Sequence, residues 1–211
     1  MNLSGLLSER NKARLLFGAY ALTILIFQNN YFFMVFNLFL AFAALEISYL
    51  LPLFRSKSKI ELPAQLLVYL VFLLMSPNVF YMVTDLIHLN AFRFKYWNGL
   101  YLKEWLNFTL LVSGVMIAVY YYSLMIKGLK RLLSGSKWGL PILLLFIVLG
   151  SVGIYIGRFL RFHSVHLFTE PFSLIEQFFA SLSKDALLFI GFITVLQLLV
   201  IWMFASREKE V

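Results

Sequence analysis

The sequence contains no cysteine and few charged residues. Lys, Arg, Asp and Glu make up 13% of its 211 residues, whereas an average soluble domain has about 25%. The lack of cysteine excludes disulfides, a thiolate nucleophile and a Cys-ligated metal. The lack of charge excludes an ordinary soluble surface, because 62% of the residues are hydrophobic and a domain of this size still exposes much of its surface. With a mean hydropathy of +0.86, the chain is predicted to be embedded in lipid.

Hydrophobic runs separated by short polar breaks predict about six transmembrane helices, since about 20 apolar residues cross a bilayer. No linker or internal repeat marks a second domain. We therefore expect residues 1–211 to form a single all-α domain, a polytopic transmembrane helix bundle. The predicted spans cover residues 13–27, 31–54, 64–83, 106–126, 140–159 and 186–205.

Lys and Arg residues are divided unevenly between the two ends of the predicted bundle. Twelve flank one end and six flank the other. Because positive charge is retained in the cytoplasm, both termini are expected there, in a multi-pass protein of the cell (cytoplasmic) membrane. The net charge of +8 follows these flanks rather than one stripe, so nucleic acid is not an expected partner. Membrane lipid is the expected partner, with another membrane protein as the alternative.

The predicted outer end of the bundle has three unusual features. Pro77 lies within the third span and predicts a kink, whose freed carbonyl needs a partner inside the protein. Residues 90–105 alternate aromatic with basic side chains, as at the level of lipid headgroups. Residues 171–183 place apolar side chains at helical spacing, which predicts an outer interfacial helix. A loop packed over the top of the bundle is the alternative for that segment.

The third span ends in a group of polar residues. Tyr81, Asp85 and His88 are spaced i, i+4 and i+7, so a continuing helix places them on one face. At 1.5 Å per residue, Asp85 is expected near the outer boundary of the hydrocarbon.

The fifth span ends in a second polar group at the same predicted depth. Tyr155, Arg158 and Arg161 are spaced i, i+3 and i+6, and His163 and His166 follow them. A charge near lipid needs a partner, so an ion pair between Asp85 and one of the two arginines is expected.

Two long segments around these groups have a familiar pattern. The run SPNVFYMVTDLIHL over residues 76–89 and the run GIYIGRFLRFHS over residues 153–164 resemble an uncharacterised bacterial membrane family, domain of unknown function 1361. The run NLFLA over residues 37–41 is a weaker likeness. The resemblance covers most of the chain and implies a multi-helix bacterial membrane protein without an established activity. The family pattern often has Asn at the position of His163, which argues against a role that needs an imidazole there.

The preferred function is the binding of an anionic headgroup or small ligand at the outer polar site, as an accessory to envelope assembly or transport. Two arginines at one site suit bidentate recognition of phosphate or carboxylate. An interhelical network that only fixes the third span against the fifth is the alternative. The candidate ligand-binding residues are Asn78, Tyr81, Thr84, Asp85, His88, Tyr155, Arg158, Arg161 and His163.

Metal binding and catalysis at this site are less favoured than ligand binding. Asp85, His88, His163 and His166 have the side chains of a zinc site, but the nearby arginines would repel a cation, so no cofactor is expected. An enzyme acting on a lipid-linked substrate would use Asp85 and His88 as an acid/base pair. That hypothesis needs a nucleophile, and no hydroxyl lies in a recognisable nucleophile motif.

Three further patterns lie outside the outer site. Glu46 is an intramembrane carboxylate, expected to pack against Ser or Tyr, with a proton- or ion-coupled transporter as the sharper hypothesis. Gly153 and Gly157 form a small-residue motif that predicts close packing within the bundle rather than dimerisation. The tyrosines at 120–122 are predicted to anchor the inner membrane interface.

Overall fold

The computed structural model describes residues 8–27, 31–55, 58–91, 99–162 and 169–204. Within these ranges the chain forms helices and turns and no strand, so the predicted all-α class is confirmed. Several predictions concern residues outside these ranges. They are most of the aromatic loop (92–98), the two histidines His163 and His166, and the end of the sixth predicted span at Ala205.

The helix boundaries lie close to those predicted from the hydrophobic runs. The largest difference is in the fourth predicted span, which continues from residue 126 to Leu133. A 3₁₀-helix over Asp85–Ala91 directly follows the α-helix that ends at Thr84, and a π-helical turn over Ile156–Leu160 directly follows the α-helix that ends at Tyr155. The α-helices are α1 (Glu9–Phe27), α2 (Phe32–Leu50), α3 (Leu62–Met75), α4 (Pro77–Thr84), α5 (Leu102–Leu133), α6 (Gly139–Tyr155), α7 (Pro171–Ser181) and α8 (Lys184–Phe204).

Five helical segments in the described part of the chain are long and apolar enough to cross a membrane. The chain is therefore an integral, multi-pass membrane protein with an α-helical bundle. The segments are Phe32–Leu50, Leu62–Asn90, Leu102–Leu133, Gly139–Leu160 and Lys184–Phe204.

Helix α1, the first of the six predicted spans, differs from these five. It has 19 residues, but charged residues occupy four of its first six positions, so its apolar stretch is short. It nevertheless lies antiparallel beside α2. Two contacts show this arrangement: the ring of Phe17 stacks on that of Phe42 at 5.1 Å between centroids, and Arg14 forms an ion pair with Glu46. Stacking and an ion pair thus join α1 to α2.

Helix α5 forms the centre of the bundle. Of its most apolar 18 residues 61% are buried, against 22% in α8, and it contacts α1, α2, α4, α6 and α8. Tyr121 and Tyr122 are buried on α5 and donate hydrogen bonds to the Ala13 carbonyl and the Gln197 side chain, both at 2.8 Å. The predicted anchoring of the tyrosine run at the membrane interface is therefore wrong for these two residues, which instead join α5 to α1 and α8.

At Pro77, where the sequence predicts a kink, the α-helix is interrupted at Ser76, between α3 and α4, although the backbone of Ser76 keeps helical dihedral angles. A proline has no amide hydrogen, so the carbonyl four residues earlier, that of Leu73, loses its helical donor. The Ser76 hydroxyl donates to this carbonyl at 3.0 Å. The Asn78 side chain donates to the Met75 carbonyl at 3.0 Å. Neighbouring side chains thus satisfy the backbone at the break, as lipid requires.

Helix α6 packs closely on α4 through its glycines. A Cβ at Gly153 would lie 2.7 Å from Cγ of Pro77, and one at Gly157 would lie 3.4 Å from the Tyr81 ring. The predicted role of this motif in packing within the bundle is confirmed. The close approach brings the π-helical turn after α6 beside the end of α4.

Helix α7 occupies the predicted interfacial segment. The Tyr155 hydroxyl donates to the Ser181 carbonyl at 3.1 Å, which ties the end of α7 to α6. Phe172, Ile175 and Phe179 are exposed and share one face at i, i+3 and i+7. An unpartnered apolar face on a short helix is typical of a helix at a membrane interface.

Candidate functional site

Asp85 is the most deeply buried charged residue of the described chain, with a relative exposure of 1%. Its Oδ1 accepts a hydrogen bond from Nη2 of Arg158 at 2.5 Å, so the predicted ion pair between the two spans is present. Its Oδ2 accepts from Nδ2 of Asn37 on α2 at 2.8 Å. Three separate segments therefore meet at one carboxylate.

Arg158 is held on three sides. Besides the contact with Asp85, its Nε and Nη2 donate to Oγ1 of Thr84 at 3.0 and 2.5 Å. Its Cζ lies 4.3 Å from the centroid of the Tyr81 ring, a cation–π geometry. The third nitrogen, Nη1, has no hydrogen bond to a described residue, and 18% of the side chain is exposed. Among the described residues, the guanidinium is thus fixed in orientation and has one nitrogen without a hydrogen bond.

Local changes in helix type put these side chains together. The chain passes from α-helix to 3₁₀-helix at Asp85, and the side chains of the adjacent Thr84 and Asp85 both reach Arg158. On the other side, Arg158 lies in the π-helical turn, where the wider turn redirects its side chain. Gly157 leaves room there for the ring of Tyr81.

His88 lies beside the cluster but is not paired with the Asp85 carboxylate. Its Nδ1 donates to the backbone carbonyl of Asp85 at 2.9 Å, and its ring lies 4.7 Å from that of Phe33 between centroids. Both carboxylate oxygens of Asp85 are occupied by Arg158 and Asn37. The pair does not have the geometry of an acid/base couple.

The other candidate residues do not join the cluster. The predicted face of Tyr155, Arg158 and Arg161 ends at Tyr155, because regular α-helix stops there. Tyr155 instead packs against α7, and Asn78 caps the break before α4. Arg161 adopts a left-handed backbone with φ 58° and is exposed, without a hydrogen bond or ion pair among the described residues.

The geometry around Asp85 does not resemble a metal site. The described residues contain no group of three or more His, Asp or Glu side chains that could hold an ion. His163 and His166, the other half of the zinc hypothesis, lie outside the described residues. The Asp85 carboxylate already forms an ion pair with the guanidinium of Arg158, so a metal cation there would have to displace Arg158.

The model of a family described as a protein of unknown function (DUF1361) matches residues 36–200. The chain belongs to the DUF1361 family. No curated protein and no solved structure matches it. The DUF1361 region includes Asn37, Asp85 and Arg158, whereas α1 precedes it.

Asn37 is a cluster residue that the sequence-based candidates do not include. Its sequence signal is an amide in the apolar first half of α2, in one of the segments that resemble the family. Spacing along α2 could not connect it to Asp85, because the contact joins residues 48 positions apart.

Glu46 lies further along α2 and has partners other than those predicted. Arg14 donates to both of its oxygens at 2.9 and 3.1 Å, and Arg10 donates to Oε2 at 2.5 and 3.0 Å. The expected packing against Ser or Tyr is wrong. A carboxylate bound by two guanidinium groups is a poor proton carrier, because both cations favour its charged form. The geometry therefore gives no support to the transporter hypothesis.

Proposed function

We propose that this membrane protein binds the anionic group of a lipid headgroup at the end of the bundle where Asp85 lies, through Arg158 and Arg161. The observation that supports the proposal most is the fixed orientation of the Arg158 guanidinium. Asp85, Thr84 and Tyr81 hold its guanidinium while Nη1 remains uncommitted. A donor fixed before binding loses little conformational entropy when a ligand arrives.

Arg161 supplies the second contact in this proposal. It is exposed, follows Arg158 by three residues and has no partner among the described residues. Guanidinium groups match the oxygens of phosphate in geometry and charge. Since α7 presents exposed apolar side chains at the same end, a headgroup fits this surface better than a soluble anion.

Binding is better supported than catalysis. The Asp85 carboxylate is closed off by Arg158 and Asn37, and the imidazole of His88 packs on Phe33. A protein that binds without reacting would act as an accessory to the assembly or transport of envelope components. Its expected orientation, with both termini in the cytoplasm, follows from the excess of Lys and Arg at the opposite end.

The test is lipid binding by the variant Arg161→Gln, measured by native mass spectrometry with phosphatidylglycerol or phosphatidylcholine. Losing a charge-assisted contact is expected to weaken phosphatidylglycerol binding by about tenfold to a hundredfold, because such a bond contributes about 1.5–3 kcal/mol. Binding of zwitterionic phosphatidylcholine should change little.

Lys103→Gln is the matched control. Lys103 is exposed at the start of α5 and its loss removes the same charge at the same end of the bundle. If both variants weaken binding equally, the effect is general surface charge. That result, or unchanged binding in Arg161→Gln, refutes the proposal.

A further inference from the structure

A cavity of about 720 Å³ lies at the end of the bundle away from Asp85. It is a half-open pocket between the start of α1, the end of α2 with the turn that follows, and the last turns of α5. On α2, Tyr49 of the cavity lies 12 residues beyond Asn37, which is about 18 Å along a helix axis. The cavity is therefore separate from the proposed headgroup site.

The cavity has a strongly basic lining. Four cations line it, namely Arg10, Arg55, Lys127 and Arg131, together with one carboxylate, Glu9. Arg55 and Lys127 have no hydrogen bond or salt bridge to a described residue. Two cations in the wall are thus available to a ligand.

The single carboxylate of the lining is already engaged. Lys12 donates to Glu9 at 2.7 Å, and the Tyr120 hydroxyl donates to it at 2.6 Å. The hydrogen bonds from Lys12 and Tyr120 hold the pKa of the Glu9 carboxyl, which precedes the apolar part of α1, below its usual value. Glu9 is therefore engaged mainly by Lys12 and Tyr120. It interacts with Lys127 only through a weaker, longer-range attraction, so the lining keeps its excess of positive charge.

The remaining wall is largely apolar. Leu51 and Leu124 are buried side chains that face the cavity, and Pro52 and Leu132 extend the same surface. Its volume lies within the range of about 300–1,000 Å³ typical of small-molecule sites. Basic groups beside an apolar wall suit a ligand with an anionic head and an apolar part.

We propose that this cavity binds a phosphate-bearing amphipathic anion, with Arg55 and Lys127 as its principal cationic contacts. Phosphate is favoured over a single carboxylate because its higher charge and three oxygens can engage several cations at once. The same chemistry has two sources, a phospholipid headgroup from the bilayer or a phosphorylated molecule from the aqueous phase. The proposal does not depend on the headgroup site near Asp85.

Two probes distinguish the sources. The first is phosphatidic acid in phosphatidylcholine nanodiscs, with bound lipid counted by native mass spectrometry. The second is pyrophosphate, titrated calorimetrically against protein in nanodiscs of phosphatidylcholine alone. Binding of phosphatidic acid alone identifies a lipid ligand, and binding of pyrophosphate identifies an aqueous one. Binding of either probe supports the proposal if substitutions in the cavity weaken that binding.

The charge test compares two double variants. Arg55→Gln with Lys127→Gln removes the two lining cations that have no hydrogen bond or salt bridge within the described residues, and is expected to weaken binding of the effective probe tenfold or more. Lys59→Gln with Lys137→Gln removes two exposed cations from outside the lining at the same end and should bind like the wild type. Equal losses in both double variants overturn the proposal.

The steric test leaves the charges in place. A Cβ at Gly128, which lines the cavity, meets no atom within 4 Å, so a side chain can start there without a clash, and Gly128→Leu adds apolar volume at the cavity wall. Gly191→Leu on α8 is the matched control, because that glycine also has open space and lies outside the cavity.

Gly128→Leu is expected to weaken binding at least tenfold, while Gly191→Leu does not. Thermal unfolding confirms that both variants are folded, and Gly→Leu within a helix favours the fold. Two results would rule out the cavity as the site. One is that neither probe binds the wild-type protein. The other is that neither Gly128→Leu nor the double charge variant weakens the binding that is observed.

Discussion

Individual side chains at the Asp85 cluster are arranged so that each charge has a partner. Asp85 is buried and accepts from Arg158 and Asn37, while Arg158 also contacts Thr84 and the Tyr81 ring. Removing one member of a buried pair leaves the other charge uncompensated, which costs about 3–5 kcal/mol. The cluster should therefore respond to mutation as a unit.

Alanine substitutions at the pair test this coupling. We expect Asp85→Ala and Arg158→Ala each to lower the free energy of unfolding by roughly 3–5 kcal/mol, because each strands the opposite charge. The double variant should lose about as much as one single variant. The measurement is unfolding in mixed micelles as the fraction of dodecyl sulfate rises.

Asn37→Ala serves as a milder comparison, because it removes a neutral donor and leaves the ion pair intact. A loss of about 1–3 kcal/mol is expected there. Additive effects of the two charge substitutions would contradict the proposed coupling.

The sequence predicts part of this arrangement and not the rest. The ion pair of Asp85 with an arginine follows from depth along two spans, since a charge near lipid needs a partner. The choice of Arg158 over Arg161 depends on the π-helical turn and a left-handed residue, neither of which the helical spacing indicates. The presence of Asn37 in the cluster depends on which face of α2 packs against α4, and the sequence alone does not reveal this tertiary contact.

At the scale of elements, the break before α4 and the glycines of α6 belong together. Pro77, which causes the break, is the residue that contacts Gly153. The ring can lie against α6 only because no Cβ stands there. This contact between α4 and α6 limits how closely Asp85, which follows α4, approaches Arg158, which follows α6.

Gly153→Ala should therefore separate the two helices. The added Cβ would lie 2.7 Å from Pro77 Cγ, and such overpacking costs about 1–3 kcal/mol. Gly191→Ala, at a helical position with open space, should be neutral or stabilising by up to about 1 kcal/mol. Comparing the melting temperatures of the two variants in detergent tests this, and a Gly153→Ala protein as stable as the wild type would disprove the close contact.

Helices are the features best predicted from this sequence, because apolar length alone determines five of them. Prediction is poorer where polar residues continue a helix. The last turns of α5 carry Lys127, Lys130 and Arg131, which mark the end of a span in hydropathy but not the end of the helix. That extension forms one wall of the basic cavity, so the cavity was not predictable from the spans.

Across the whole molecule, charge divides the bundle into a basic end with the cavity and an opposite end with the Asp85 cluster. The Arg10 and Arg14 contacts with Glu46 place the start of α1 at the basic end. Which of the two ends faces the cytoplasm stays a prediction from the distribution of Lys and Arg.

The absence of cysteine makes this topology easy to measure. Single cysteines at Ser8, Ser136 and Lys103 can be labelled with a membrane-impermeant maleimide in intact cells. We expect labelling only of Lys103→Cys, and labelling of the other two after permeabilisation. The reverse pattern would invert the predicted orientation, and labelling of Ser8→Cys together with Lys103→Cys would contradict the antiparallel pairing of α1 with α2.

The pairing of α1 with α2 also imposes an order on biosynthesis. Arg10 and Arg14 leave the ribosome 36 and 32 residues before Glu46. Until α2 has been made, Arg10 and Arg14 lack the carboxylate that binds both of them, and the 13 residues from Leu15 to Phe27 are fewer than the about 20 that span a bilayer. Once Glu46 is translated, the two helices can insert as a hairpin with their charges matched. A nascent chain arrested before α2 would leave α1 outside the membrane.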